Sequence, residues 1–199
     1  MKKRMWLAGS IVLLLILTAC GAKASPTEQA KATVEGFYQA LSKMEFSKMK
    51  QYFPKEVREQ KNDVPMASAE TPTDQGTMET SGGTVNVAQQ METMKKFLST
   101  IKATYESGEI AEGAKEGTLT YKVESPSMMD YMQKLALTVG PDGQPDYTKI
   151  DETSFETETN TVAIDVKEEN GKWVLSDPQS LFMKALGVQG DPMKMLEKQ

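Results

Sequence analysis

The chain of 199 residues has no histidine and a single cysteine. Without imidazole there is no Ser-His-Asp or Cys-His nucleophile pair, no H-E-x-x-H zinc site and no His proton shuttle. One thiol makes neither an internal disulfide nor a cysteine zinc cage. An excess of basic charge is also missing. The 23 Lys and Arg are outnumbered by 28 Asp and Glu, so nothing in the chain is suited to holding nucleic acid or lying on an anionic lipid surface. The acidic runs Asp151-Glu152, Glu156, Glu158 and Glu168-Glu169 lack the order of a calcium loop and read as a solvated face. Gly171-Lys172 is not a phosphate-binding loop, because no Gly-x4 precedes it and Trp173 stands where Ser or Thr is needed. With 39% apolar residues, the length suits one ordinary core and one domain.

What is present begins at the N-terminus. Lys2, Lys3 and Arg4 precede an apolar run from Leu7 to Leu17 broken only by Gly9 and Ser10, the pattern of an export signal. Polarity returns at Cys20 to Lys23, short of the roughly 20 apolar residues that a spanning helix needs. The run ends in Leu17-Thr18-Ala19-Cys20, which resembles the lipobox of bacterial lipoproteins at all four positions. That resemblance implies removal of residues 1–19 and acylation of Cys20, with a diacylglyceryl group and usually a further N-acyl chain holding the protein firmly on a bilayer outside the cytoplasm. Residues 20–25 would be the tether, its five residues after Cys20 reaching at most about 17 Å. The mature chain would carry 20 positive and 28 negative charges, net −8.

Beyond the tether, Ser25-Pro26-Thr27-Glu28 forms a capping box with Pro at the first helical position. Val34, Phe37, Tyr38, Leu41 and Met44 follow at helical spacing, which predicts a helix from Pro26 to Met44. A short apolar stripe, Phe46, Met49, Tyr52 and Phe53, predicts a second helix, with Lys55 to Lys61 continuing it past Pro54. From Asn62 to Thr84 large apolar residues almost vanish, and a flexible insertion is expected. Val87, Met91, Met94, Leu98, Ile101 and Tyr105 share one face of a helix placed over Val85 to Lys102. Strands are expected at Tyr105 to Ala111, with a bulge at Gly108, and at Thr118 to Glu124. Ser125-Pro126 is expected to cap a helix whose apolar face is Met128, Met132, Leu135 and Val139, ended by Gly140 to Gly143. Asn170-Gly171 predicts a two-residue type I′ hairpin pairing Glu169 with Lys172, Glu168 with Trp173 and Val166 with Leu175. That register puts Val162, Ile164, Val166, Trp173 and Leu175 on one face and Ala163, Asp165, Lys167 and Val174 on the other. Asp177-Pro178 then opens a helix closed by Gly187, and residues 188–199 form a tail.

This order of elements resembles the NTF2-like (cystatin-like) superfamily of α+β proteins. The segments carrying the resemblance are Val34 to Leu41 with the Phe46 to Phe53 helix, and Asn170 to Leu175, which look like stretches in small lipoproteins of that superfamily without assigned function. The resemblance implies a curved antiparallel sheet wrapping the first helix as a cone, within one domain spanning 26–187. Some members are isomerases or dehydratases with Asp, Tyr or His inside the cone. Here Asp165 and Glu168 fall on the wrong face or at the turn end, so no catalytic residue is expected. Tyr38, Tyr105, Tyr121 and Trp173 are the candidates for lining a pocket, although aromatic residues at core spacing are usually core. Met128, Met129 and Met132 invite a thioether copper site, but helical spacing explains them as core filler, and neither metal nor cofactor is expected. The expected protein is a lipid-anchored, non-catalytic envelope module that touches the membrane through Cys20 and binds an envelope partner. Two other readings stand beside it: a pocket protein for a small apolar ligand, and a scaffold recruiting its partner through residues 62–84.

Overall fold

The computed structural model describes residues 24–59, 78–80, 83–85, 87–141, 143–151 and 155–186. Cys20 with its lipobox, most of the 62–84 insertion and the 188–199 tail lie outside them. Helix α1 (Pro26–Ser42) starts at Ser25, whose hydroxyl accepts the Glu28 amide at 3.2 Å, as the capping box requires. It stops two residues before Met44, which takes a left-handed φ of 56° and turns the chain into α2 (Phe46–Met49) and a 3-10 turn at Lys50–Tyr52. Helix α3 (Lys55–Glu59) follows Pro54. The end of the segment expected to be flexible instead pairs: β1 (Met78–Thr80) and β2 (Gly83–Val85) form an antiparallel ribbon.

Helix α4 (Val87–Ser99) is shorter than its periodicity suggested. Ile101 is buried beyond its end, and Tyr105 belongs to β3 (Lys102–Ser107). The 3.6-residue pattern ran on because the next strand buries against the same core. Strand β3 also starts earlier than expected, and its irregularity lies between Tyr105 and Ser107, just ahead of Gly108. Strand β4 spans Glu116–Pro126, so Ser125 and Pro126 finish a strand and do not cap a helix. The cap is Ser127, which accepts the Asp130 amide at 3.4 Å and opens α5 (Met128–Leu137). Half of its expected apolar face holds. Tyr131 is buried with Met128 and Leu135 packed beside it, whereas Met132 is 53% and Val139 49% exposed.

After a 3-10 turn at Tyr147–Lys149, β5 (Thr157–Glu169) and β6 (Lys172–Leu175) form the hairpin in the expected register. Asn170 and Gly171 both have positive φ, 53° and 79°, as a type I′ turn demands. Helix α6 (Pro178–Ala185) closes the described chain, capped by Asp177 through the Ser180 amide at 2.9 Å. The main sheet is antiparallel in the order β3-β4-β5-β6. The fold is therefore α+β, with the N-terminal helices packed on an antiparallel sheet.

Helix α1 buries Val34, Phe37, Tyr38 and Leu41 in the core that also takes the inner face of the sheet. That face presents Leu119, Tyr121 and Val123 from β4, Val162, Ile164 and Val166 from β5, and Trp173 and Leu175 from β6. Each such side chain is worth about 1.5–3 kcal/mol in burial. Val174, read as an outer-face residue, is buried too. The chain around α3 reaches round the sheet to that outer face, where the Lys55 amide donates to Glu169 Oε2 at 2.9 Å and Glu56 approaches Lys167, the residue paired with Val174. A second aromatic group, Phe97, Tyr131 and Phe155, joins α4, α5 and the approach to β5, with ring centroids 5.0–5.7 Å apart.

Gly108 ends β3 at φ +117°, where a Cβ would sit 2.6 Å from the Thr118 carbonyl oxygen and 3.0 Å from Leu119 Cα. Both obstacles are backbone, so the strain cannot be relieved by a rotamer change. Gly108→Ala should cost about 1–3 kcal/mol and lower the thermal midpoint by several degrees in a calorimetric scan. An unchanged midpoint would show that this corner is free to rearrange.

Candidate functional site

Two of the four aromatic candidates meet beneath α1, and a third, Tyr38, lies on α1 itself near enough to Tyr121 to feel it electrostatically. Tyr121 from β4 and Tyr105 from β3 are cross-strand partners in T-shaped contact at 5.6 Å. Tyr121 donates from its hydroxyl to the Lys31 carbonyl at 3.5 Å, and Lys31 Nζ lies 4.5 Å from the centre of the Tyr105 ring while pairing with Glu28 at 3.0 Å. The Tyr105 hydroxyl donates to the Gly108 carbonyl, tying the ring to the corner of the strand. Tyr38, one helical turn beyond Val34, is 4% exposed and stacks edge-on against Phe37 at 5.4 Å. Its hydroxyl is buried and has no hydrogen-bond partner among the described residues.

Trp173 does not join this group through any ring contact among the described residues. It lies in the same core at the hairpin end, where its carbonyl accepts a buried 3.0 Å hydrogen bond from the Thr33 hydroxyl. The side chain fills space between α1 and the sheet. Cys20 is outside the described residues.

Two of these phenols, Tyr38 and Tyr121, are held in the neutral form. Burial, followed by the proximity of Tyr121, pushes the Tyr38 phenol well above its ordinary value. Burial and then the nearby Glu35 carboxylate do the same for Tyr121. Such groups can donate or accept hydrogen bonds at neutral pH, but they are not proton-transfer bases. The buried polar side chains among the described residues are Thr33, Thr93, Ser125 and Ser127, and no carboxylate is among them. Asp165 points outward and accepts from the Thr118 hydroxyl at 2.6 Å, while Glu168 pairs with Lys115 at 2.7 Å.

Among the described residues, no group of three or more Cys, Asp or Glu side chains is placed to hold a metal ion. The methionines need a correction. Met128 packs against the core as expected, but Met129 and Met132 are 67% and 53% exposed and do not fill it; α5 reaches the core through Met128, Tyr131 and Leu135. The sequence did not point to a polar groove of about 250 Å³ lined by Gln89, Glu92, Thr93, Lys96, Tyr147, Thr148 and Ile150. It lies between α4 and the Tyr147–Lys149 turn, away from the tyrosines, and its Glu92 and Lys96 charges pair with each other at 3.3 Å. No motif marks these residues, because they are brought together only by packing.

An unpartnered buried hydroxyl costs free energy that an aromatic CH does not. Tyr38→Phe should leave the thermal midpoint unchanged or raise it, and a loss of 1 kcal/mol or more would reveal a partner for the hydroxyl. The raised tyrosines also set an alkaline limit. Their folded pKa values exceed the unfolded value near 10, so the native state holds these protons more tightly. Their contribution is complete below about pH 10 and is lost as pH rises above it. A denaturant titration at pH 9 and pH 11 should show the decline, and Tyr38→Phe should lessen it.

No protein-family model matches the chain, and no curated protein matches it. Solved structures do. An NTF2-like protein of unknown function from Shewanella oneidensis MR-1 is 11% identical over 76% of this chain and 94% of its own, with a TM-score of 0.38. A protein from Streptomyces avermitilis, described provisionally as a dehydratase of the NTF2-like family, is 11% identical over 75% of this chain and 90% of its own, at 0.36. AclR from Streptomyces galilaeus, described provisionally as a hydroxylase, is 12% identical over 86% and 89%, at 0.34.

Proposed function

We propose that this chain is a lipid-anchored lipoprotein of the bacterial envelope whose single domain, NTF2-like in plan, is a non-catalytic binding module facing away from the cytoplasm. One observation carries the reading. The folded domain begins almost at once after the lipobox, with Ser25 capping α1 and only Gly21 to Ala24 between that cap and Cys20. Four residues reach about 14 Å at most, and the first turn of α1 is already fastened to the domain, the Ile110 amide donating to the Thr27 hydroxyl at 2.9 Å. An acyl group on Cys20 would thus hold the domain directly on the bilayer. Among the described residues no helix is long and apolar enough to cross a membrane.

The non-catalytic part of the proposal is supported by the outward placement of Asp165, by the pairing of Glu168 with Lys115 at the hairpin end, and by the absence of a carboxylate among the buried polar groups of the described residues. The unpartnered Tyr38 hydroxyl favours a second reading, in which a small ligand, mostly apolar with one hydrogen-bonding atom, enters the core beside it.

The decisive variant is Cys20→Ala. Wild-type protein should partition into the detergent phase and incorporate labelled palmitate in a bacterial host, and the variant should do neither and wash free of membranes. Equal retention of the two would overturn the lipoprotein assignment.

A further inference from the structure

Gln89, Glu92, Thr93 and Lys96 recur at intervals of three and four along α4 and so share one face of that helix as a polar stripe. Against it stands the turn at Tyr147–Lys149, and the two enclose the groove of about 250 Å³. The turn is firmly built. Asp146 caps it, its carboxylate accepting the Thr148 amide at 3.1 Å and pairing with the Lys149 ammonium at 3.1 Å. The Asp146 amide in turn donates to the Thr138 carbonyl, just past α5, at 3.2 Å. The groove is therefore formed before any ligand arrives.

Two hydroxyls in its lining are set for a ligand. Thr93 is 3% and Tyr147 8% exposed, and neither hydroxyl is hydrogen-bonded to another described residue. Among the described residues the unpartnered side-chain oxygens sealed from solvent are those of Tyr38 and Ser125, so the oxygens of Thr93 and Tyr147 are reached through the groove they line. Burial alone raises the Tyr147 phenol, with no hydrogen bond contributing. A nearly buried hydroxyl without a partner is costly unless something in the groove bonds it. We propose that this groove binds a neutral pyranose sugar, with Thr93 and Tyr147 hydrogen-bonding its substituents and two neighbouring ring hydroxyls bridging Glu92 and Lys96. The inference gives the binding module proposed above a ligand and rests on that reading.

The ligand class follows from size, charge and bonding sense. The volume lies just below the roughly 300–1,000 Å³ of drug-sized sites, which leaves room for one ring. Glu92 and Lys96 cancel each other at 3.3 Å, so an anion would meet the carboxylate and a cation the ammonium. Neighbouring hydroxyls on a pyranose are spaced much like that pair, so one can donate to Glu92 while the next accepts from Lys96 and the ion pair stays intact. An amino acid zwitterion would have to break it. Hydroxyls and amides both donate and accept, which matches Thr93, Tyr147 and Gln89 to ligand hydroxyls that do the same. The Thr148 hydroxyl donates to Asp146 and presents its remaining lone pairs. Tyr147 and Ile150 add apolar surface for the C–H face of a ring. Glu92 is the one carboxylate in this lining, where glycoside hydrolysis ordinarily needs two, so binding and not cleavage is expected.

The test uses the full-length chain in a detergent without a sugar headgroup. It is titrated with the methyl glycosides of glucose, galactose, mannose and N-acetylglucosamine and followed by calorimetry and by the methyl NMR signals of Ile150. At least one glycoside should saturate with a millimolar dissociation constant and shift Ile150, while glycine and inorganic phosphate should do neither. Thr93→Val and Tyr147→Phe each remove one unpartnered hydroxyl and little shape, so they should keep the thermal midpoint and weaken the sugar about three- to tenfold. Glu92→Ala, at an exposed helix position, should weaken it likewise. Tyr38→Phe should change nothing. Cys20→Ala should bind as the parent does, so that loss of the anchor and loss of the site are read separately. Saturation by none of the four glycosides would overturn the proposal, as would tighter binding of glycine or phosphate than of any sugar. So would an affinity that survives both Thr93→Val and Tyr147→Phe, or one that falls with Tyr38→Phe instead, which would move the ligand into the core.

Discussion

The long antiparallel ladder between β4 and β5 is the constraint on which the rest of this molecule depends. It runs without a slip from Glu116 opposite Lys167 to Pro126 opposite Thr157. Because side chains alternate, that single register decides that Leu119 meets Ile164 and Tyr121 meets Val162 on the inner face, while Thr118 meets Asp165 outside. A shift of one residue would turn Tyr121 and Ile164 to water and leave α1 with nothing to pack on. The short strands β3 and β6 are fitted to this pair, and α1 crosses beneath it from the β3 corner at Ile110 to the β6 end at Trp173.

The legible parts of the fold were those whose signals are local. Asn170-Gly171 sets a turn that admits one strand register, so the pairing of Glu168 with Trp173 could be written from the residues alone. Ser25 with Glu28 did the same for the start of α1. What failed depended on where an element lies relative to others. Ser125-Pro126 and Ser127 are both acceptable caps, and the choice is made by β5, whose Thr157 extends the ladder to Pro126. Ser127 also has Asp130 three residues on, a cap signal as good as the one preferred. On α5 the apolar side chains cover two faces, and periodicity cannot say which is turned inward. The aromatic contacts of Tyr131 with Phe97 and Phe155 decide it.

The candidate site was legible to the same degree. Placing Tyr38, Tyr105 and Tyr121 together needs only the alternation in β3 and β4 and the helical face of α1. Trp173 lies on the correct side of the sheet but at its far end, because β6 reaches only the last turns of the β5 ladder. No residue pattern announces that the Tyr38 hydroxyl goes unpaired while the Tyr121 hydroxyl finds the Lys31 carbonyl, since that depends on a few tenths of an ångström in how α1 rests on the sheet.

The hydrogen bond from Thr33 to the Trp173 carbonyl joins the first helix to the last strand across 140 positions of sequence. A chain that emerges from its N-terminus, at a ribosome or through a membrane channel, presents α1 long before the strand that seats it exists. Until Leu175 is out, Val34, Phe37 and Leu41 have no finished surface to bury against, and helices of this length are marginal alone in water. Such a chain remains threadable for nearly its whole length and commits to its compact form only as the terminal hairpin closes. Large sequence separation of contacts makes folding slow. For a polypeptide that has to cross a barrier before it packs, the same delay keeps the chain extended during passage.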